Sequence, residues 1–404
     1  MAATVEIEEA FESLAAWCRA RGYAGSDPFD ALNSRVFRAT PLGRSRLARL
    51  AWTQLFKRSP VNLRPLALVP AGRNAKGTAL FALAWLSRLR AARASGHDAL
   101  AAEAGREARS LLDDLIASRV ETRSGGAAWG YNFDWQGRAF YAPRGTPTVV
   151  PTAFAARALL EAAREFGGRA HLEVARSACR FILEDLPRAG GGDEACFGYV
   201  PQARTRIFNA SLLAGETLGS VGRATGEREL CEWALRAARY VARRQRAGGA
   251  WAYGEEPYQS WVDNFHTAFV LLSLERISGD CAAEGDAEID AALRRGYDFW
   301  LSRFFLADGW PKYYEDSPYP ADAHSAAAAV VALTSLGRID PDARSHAERI
   351  ARWALANLRD PAGFFYYQRR RRRTVRTPHM RWAQAWMLYA LARLIEPCGR
   401  GPRS

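Results

Sequence analysis

Three short stretches of this chain carry residues able to move protons. In Trp261–Phe269 (WVDNFHTAF), Asp263, Asn264 and His266 stand directly ahead of an apolar run. Asp322 and His324 stand ahead of the next such run, and His379 and Arg381 ahead of the last. Tyr313, Tyr314 and Glu315 lie between the first two sets, and Asp134 lies beside Trp129, Tyr131 and Trp135. A His or Tyr can remove a proton next to a carboxylate whose charge a neighbour such as Asn264 with Arg381 neutralises. Two carboxylates facing each other across a glycosidic bond can hydrolyse it, which makes Asp134, Asp263, Glu315 and Asp322 candidates. The paired histidines His266 and His324 would serve epimerisation of a free amino sugar. The catalytic candidates are therefore Asp263, His266, Asp322, His324 and Tyr313. The binding candidates are Trp129, Tyr131, Asp134, Trp251, Tyr253, Trp261, Asn264, Trp310, Tyr314 and Arg381, because aromatic faces stack on the apolar C–H faces of sugars. Each has a structural alternative. Asp263 and Asp322 have the placement of helix N-caps, a Trp or Tyr after glycine packs turns, and a histidine at a helix start often serves as a bonded core group.

These residues belong to a repeated pattern. Aromatic marks after a glycine turn fall at positions 129, 197, 251, 310 and 364, a step of 54 to 68 residues. Each is followed by a polar loop and then a helix that is apolar nearly all round, such as Ala153–Ala163, Leu212–Leu218, Ala326–Leu336 and Trp386–Leu394. Between them, Leu172–Leu186, Glu229–Gln245, Ile289–Phe305 and Ala343–Leu358 have apolar residues three and four apart, the pattern of an amphipathic helix. An inner buried helix thus alternates with an outer one. Connections from inner to outer are short, as in Phe166–Arg169, and those from outer to inner are long, as in Arg119–Val150 and Ala247–Asp263. The expected fold is all-α: an α/α toroid of six or seven helical hairpins, with every long loop on one face. Such a face is where repeat proteins place function, and helix N-termini opening onto it suit an anionic ligand.

The chain has 404 residues, 49% of them hydrophobic, and shows no linker that would split it, so a single toroid domain is expected over 1–404. Residues 1–95 form divergent N-terminal hairpins, 96–396 the regular repeats and 397–404 a tail. Glu8–Arg21 and Leu47–Lys57 read as outer helices, and Thr78–Leu89 as an inner one. No apolar run reaches the length of a membrane span, and the acidic residues near the start do not read as a secretion signal, so a cytoplasmic location is expected. The six cysteines, Cys18, Cys179, Cys196, Cys231, Cys281 and Cys398, form no C-x-x-C pair and support neither a disulfide framework nor a zinc site. No metal-ligand spacing and no cofactor motif appears. Net charge is +13, and only three of the 56 basic residues are lysine: Lys57, Lys76 and Lys312. That charge fits either a solvated surface or an acidic partner. The run Arg369–Arg373 sits inside a long loop with no nucleic-acid-binding pattern around it, which favours a loop tip or a rim contact to an acidic chain.

Ser26–Ser34 (SDPFDALNS), Asn62–Leu66 (NLRPL), Gly72–Gly77 (GRNAKG), Trp129–Gln136 (WGYNFDWQ), Trp261–Phe269 and Met380–Met387 (MRWAQAWM) together resemble the VpsJ-type proteins encoded with bacterial capsule and exopolysaccharide genes. The resemblance spans essentially the whole chain. It implies a toroid of the six-hairpin glycosidase or terpene-cyclase shape and a role in polysaccharide biosynthesis, and it brings no catalytic assignment. The residues themselves leave three classes open. One is an enzyme acting on an acidic glycan or sugar as lyase, epimerase or hydrolase. Another is a non-catalytic glycan-binding or assembly factor that also meets polysaccharide-synthesis proteins. The third is an isoprenoid cyclase or prenyltransferase, for which the D-x-D-D and D-D-x-x-D motifs are missing.

Overall fold

The computed structural model describes residues 2–138, 140–282 and 285–397. Cys398 and most of the tail fall outside them. The helices in chain order are α1 (Ala2–Arg19), α2 (Arg35–Arg38), α3 (Arg46–Arg58), α4 (Ala75–Ala94), α5 (Asp98–Ala117), α6 (Val149–Phe166) and α7 (Arg169–Arg180), then α8 (Phe208–Thr225), α9 (Arg228–Ala242), α10 (Asn264–Cys281), α11 (Ala287–Phe304), α12 (Ala323–Leu333), α13 (Ala343–Leu358) and α14 (Trp386–Ile395). Strands are two or three residues long and lie in the loops.

The helices form an α/α toroid. Around the inner ring α4 packs on α6, then α8, α10, α12 and α14, and α14 returns to α4. The described residues thus hold six inner helices, which decides between six and seven hairpins. Helices α5, α7, α9, α11 and α13 cover them from outside. The sixth outer place is taken by α1. Its Phe11 meets Trp85 of α4 edge-on at 5.4 Å, and its Arg88-facing acids Glu8 and Glu12 pair with that guanidinium. The inner helices are buried over almost their whole length, as their all-round apolar pattern requires.

The aromatic repeat marks hold the ring together. The first N–H of each inner helix has no intrahelical acceptor. Val149 donates to the Tyr199 carbonyl, Phe208 to Tyr253, Asn264 to Tyr313 and Ala323 to Tyr367, at 3.0–3.2 Å. Each carbonyl belongs to the following unit. At the seam, Met380 donates to Ser26 instead. The glycine ahead of each mark allows close packing. Gly363 has φ +93° and sits 3.0 Å, measured from an added Cβ, from the Ser13 carbonyl of α1. An alanine there would be strained in backbone and crowded in space.

One expected outer helix lies elsewhere. The reading of Leu47–Lys57 finds its helix in α3, but α3 crosses the loop face. At its start Arg46 donates to the Arg138 carbonyl and Arg49 to Gln136. At its end the Arg58 carbonyl accepts from Arg370. Thirteen residues span about 20 Å, enough to bridge the loops before α6 and before α14. Beneath it Phe56, Ala31 and Ala67 form a small separate core with Trp52. An amphipathic helix has the same sequence pattern whether its apolar side meets a ring or a loop layer, so the pattern alone did not separate the two.

Candidate functional site at the ring mouth

Asp263 is the N-cap of α10 and accepts from the His266 N–H at 3.0 Å. Its second oxygen lies 2.6 Å from His266 Nδ1 and accepts from the Trp261 indole at 3.1 Å. A carboxylate can only accept, so in the neutral ring Nδ1 carries the proton and Nε2 keeps its lone pair. The Asp263 side chain is 1% exposed and that of His266 22%. Tyr253 packs at 4.6 Å on the imidazole and stacks at 4.6 Å on Trp261. The imidazole is therefore oriented by a buried acid and framed by two aromatic rings.

Asp322 caps α12 in the same way, through the Ser325 N–H at 2.7 Å, and its other oxygen accepts from the Trp382 indole at 3.2 Å. Burial raises its pKa, and the bonds from Ser325 and Trp382 act the other way. His324 points into the ring instead. It is 1% exposed, lies between Phe265 at 4.5 Å and Trp382 at 4.3 Å, and neither ring nitrogen has a protein partner among the described residues. Burial first, then Lys76, Arg381 and His266, push its pKa well below the ordinary value. Both aspartates thus serve as caps, and both histidines pack against Phe265.

Tyr313 packs edge-on against Phe265 at 5.7 Å and against Tyr314 at 4.7 Å. Burial, then Asp263 and Asp322, hold its pKa well above the usual phenol value, so it remains a proton donor. Tyr314 is 40% exposed. From the crossing helix, Lys57 reaches into this region with Nζ 4.5 Å above Phe29, which itself packs on Trp382 at 5.5 Å. Burial lowers the Lys57 pKa, while Asp322 and Asp263 raise it. Asp263, His266, Asp322, Tyr313, Tyr314, Tyr253 and Trp261 are therefore assembled at one mouth, and Lys57, Phe29 and Trp382 join them.

Other candidates have structural tasks. Trp129 and Trp251 are buried, and their indoles donate to the Leu115 and Val241 carbonyls at the ends of α5 and α9. They offer no face to a ligand, which corrects their assignment as platforms. Asn264 bonds the Lys312 carbonyl and the Trp300 indole and is fully buried, so it is not available to a carboxylate. Arg381 is buried and holds Asp27 by two bonds of 2.6 and 2.8 Å, so it too is spent. Trp310 donates to the Pro318 carbonyl and packs on Trp353. Tyr131 shares a hydroxyl bond with Tyr199 and stacks on Phe133, to one side of the mouth. Asp134 pairs with Arg38 at 3.0 Å in a separate cleft of about 460 Å³ beside α2. Glu315 gives only its carbonyl, to Lys312 Nζ. In the arginine run, Arg369 bonds Asn357 and Arg370 bonds α3, while Arg371, Arg372 and Arg373 are exposed.

Sequence reasoning passed over Asp27, Asp30, Arg64, Lys57, Lys76 and Trp382. Arg64 pairs with Asp30 at 2.6 Å and also bonds the Asp27 carbonyl, while Asp27 holds Arg381. Asn74 and Asn33 both bond Asn132. These residues come from five short stretches, Ser26–Ser34, Asn62–Leu66, Gly72–Gly77, Trp129–Gln136 and Met380–Met387, and they tie the N-terminal segment to the last inner helix. The available signal was the retention of lysine at two sites in a chain that uses arginine almost everywhere.

The α/α toroid is also the form of several solved sugar-processing proteins. The chain is similar to a sugar epimerase from a ruminal bacterium (TM-score 0.60, 14% identity, 80% of this chain and 87% of that one). It is similar to cellobiose 2-epimerase from Bacillus thermoamylovorans (0.58, 13%, 79% and 87%). It is also similar to the unsaturated glucuronyl hydrolase of a Bacillus species, responsible for degradation of glycosaminoglycan (0.58, 14%, 96% and 96%). At these identities the likeness establishes the fold. No protein-family model and no curated protein matches the sequence. No described helix is long and apolar enough to cross a membrane.

Proposed function

We propose that the protein is a carbohydrate-active enzyme that removes a proton from the carbon beside the carboxylate of an acidic sugar, as an epimerase or a lyase. The observation that carries this reading is the Asp263–His266 pair: a buried carboxylate at 2.6 Å from Nδ1, with Nε2 left as the base. Lys57 replaces Asn264 and Arg381 as the cation facing the substrate carboxylate, and neutralising that charge acidifies the neighbouring C–H. Tyr253 with Trp261 is the stacking wall. Tyr313, kept protonated, is the proton donor to the opposite face or to the leaving oxygen. The C–H electron pair then either takes a new proton, inverting the carbon, or forms a double bond as the adjacent C–O bond breaks.

A hydrolase needs two carboxylates facing each other across the glycosidic bond, whereas Asp263 and Asp322 are buried helix caps whose oxygens already accept indole and backbone N–H bonds, which favours the proton-abstraction reading. The stretches that resemble VpsJ-type proteins build the seam of the ring and part of the mouth, and that resemblance is what supports a role in polysaccharide biosynthesis. The test is to incubate the protein in deuterated water with uronic acids and acidic bacterial polysaccharides and follow C–H exchange by NMR. Exchange that disappears in His266→Ala supports the proposal. Reducing ends without exchange would make it a hydrolase, and glycan binding with neither signal would make it an assembly factor.

A further inference from the structure

Beneath the mouth, the ring axis carries a cluster that the reaction above does not use. Lys76, the second residue of α4, is 3% exposed. Its Nζ lies 4.4 Å from the centre of the Phe154 ring, 5.1 Å from Phe269 and 5.2 Å from Trp386. These rings come from α6, α10 and α14 and touch one another at 5.3 to 6.1 Å. His324, from α12, packs on two of the same rings, 5.0 Å from Trp386 and 5.9 Å from Phe269. Five inner helices thus bring an amine and an imidazole to one aromatic cage. Core histidines ordinarily anchor at least one nitrogen. His324 anchors neither, and the Trp386 indole beside it is also without a protein partner among the described residues.

The cage attracts an ammonium through the ring faces. Against it stand burial, which is the larger effect, and the positive charges of Arg381 and Arg157, with Asp27 opposing them. The balance lowers the Lys76 pKa well below its ordinary value. A lowered pKa raises the share of the amine that keeps its lone pair, and the neutral amine is a nucleophile. Arginine cannot take that state. A chain that uses lysine at three of 56 basic positions keeps it here, where an arginine would remain charged.

We propose that Lys76 is a carbonyl-reactive amine that forms an imine with an aldehyde, either a small free aldehyde or the open-chain form of a reducing sugar, with His324 carrying the protons. The Nζ lone pair attacks the carbonyl carbon, a C–N bond forms and the oxygen takes a proton. His324 takes the remaining proton from the nitrogen and passes it to the hydroxyl, which leaves as water as the C–O bond breaks and the C=N bond forms. No electron donor or acceptor is needed. Phe265 and Trp382, both buried, pack on the mouth residues and on His324, so a ligand from the mouth must enter past them.

The experiment treats the intact protein at pH 7 with cyanoborohydride and either glycolaldehyde or a reducing disaccharide, then maps labelled lysines by mass spectrometry. Only Lys57, Lys76 and Lys312 compete. Lys76 is expected to label at least about tenfold faster than Lys312, since each unit of lowered pKa raises the neutral fraction tenfold. Urea should abolish that preference. Label from glycolaldehyde alone identifies a small aldehyde as the ligand, and label from both identifies a sugar. His324→Gln should slow labelling about tenfold with an unchanged urea melting curve. An unchanged rate in that variant overturns the role of His324. Labelling of Lys57 and Lys312 with Lys76 silent until urea is added overturns the proposal and makes Lys76 a sealed structural residue.

Discussion

The two histidine units are written with nearly the same residues and do different work. In one, Asp263 caps α10 and the histidine stands three residues on, at His266. In the other, Asp322 caps α12 and the third position is Ser325, with the histidine one place earlier at His324. One residue on a helix is a rotation of about 100°. That rotation takes the imidazole from the carboxylate and the aromatic wall into the ring axis, where neither nitrogen has a hydrogen-bond partner among the described residues. Both aspartates keep the same capping bond, so spacing from the cap decides whether the histidine becomes an oriented base or a buried ring.

The comparison can be broken by deleting each histidine. His266→Ala is expected to reduce turnover of an acidic sugar by about 10²–10⁴-fold, with thermal stability nearly unchanged, since the side chain is part-exposed. His324→Phe should leave the fold intact and stabilise it by roughly 1–3 kcal/mol, because it removes two buried nitrogens without partners. Equal effects of the two on stability, measured by urea melting, would deny the difference.

The aspartates give a smaller contrast. Asp263→Ala and Asp322→Ala each lose a cap worth about 1 kcal/mol and leave an indole N–H without its acceptor. Only Asp263→Ala should also depress kcat, through loss of the Nδ1 bond. Asp263→Asn should separate the two roles, keeping a cap but reversing the ring tautomer; its amide nitrogen also opposes the Trp261 indole N–H, so kcat falls while melting drops less than in Asp263→Ala.

Acid sharpens the same contrast. Burial is the main cause that lowers the pKa of both His324 and His379 far below the ordinary 6.5. The unfolded chain therefore takes these protons first as pH falls. Stability is full above about pH 6.5 and declines below it, by up to about 1.4 kcal/mol per pH unit for each histidine. His324→Phe should make this decline shallower in urea melts at pH 5 and 6.5. The smallest change is a register swap, His324→Ala with Ser325→His. It should create a second Asp–His pair, read as a new downfield imidazole N–H resonance.

The hairpin order, the loop face and both caps were legible because each rests on local spacing. Inner helices Val149–Phe166 and Trp386–Ile395 match apolar runs visible in the sequence, and α13 matches the expected Ala343–Leu358. The position of α3 was not legible, since nothing local tells which surface receives its apolar side. Nor were the partners of Arg381 and Arg64, which lie 354 and 34 positions away. The aromatic marks misled for a related reason. A glycine followed by Trp129 or Trp251 looks like a ligand wall, and only the distances to Leu115 and Val241 show each to be a wedge.

Closure of the ring by α1 also has a timetable. Ser26 and Asp27 meet Met380 and Arg381, and Ser13 meets Gly363. At synthesis rates of 5–20 residues per second, Asp27 waits roughly 20–70 s for Arg381 to leave the ribosome. During that interval the inward sides of α1 and α4 have no neighbour on the seam side and remain available to chaperones or to another nascent chain. Trp382 arrives with the same last stretch, so the mouth is among the final parts of the molecule to exist.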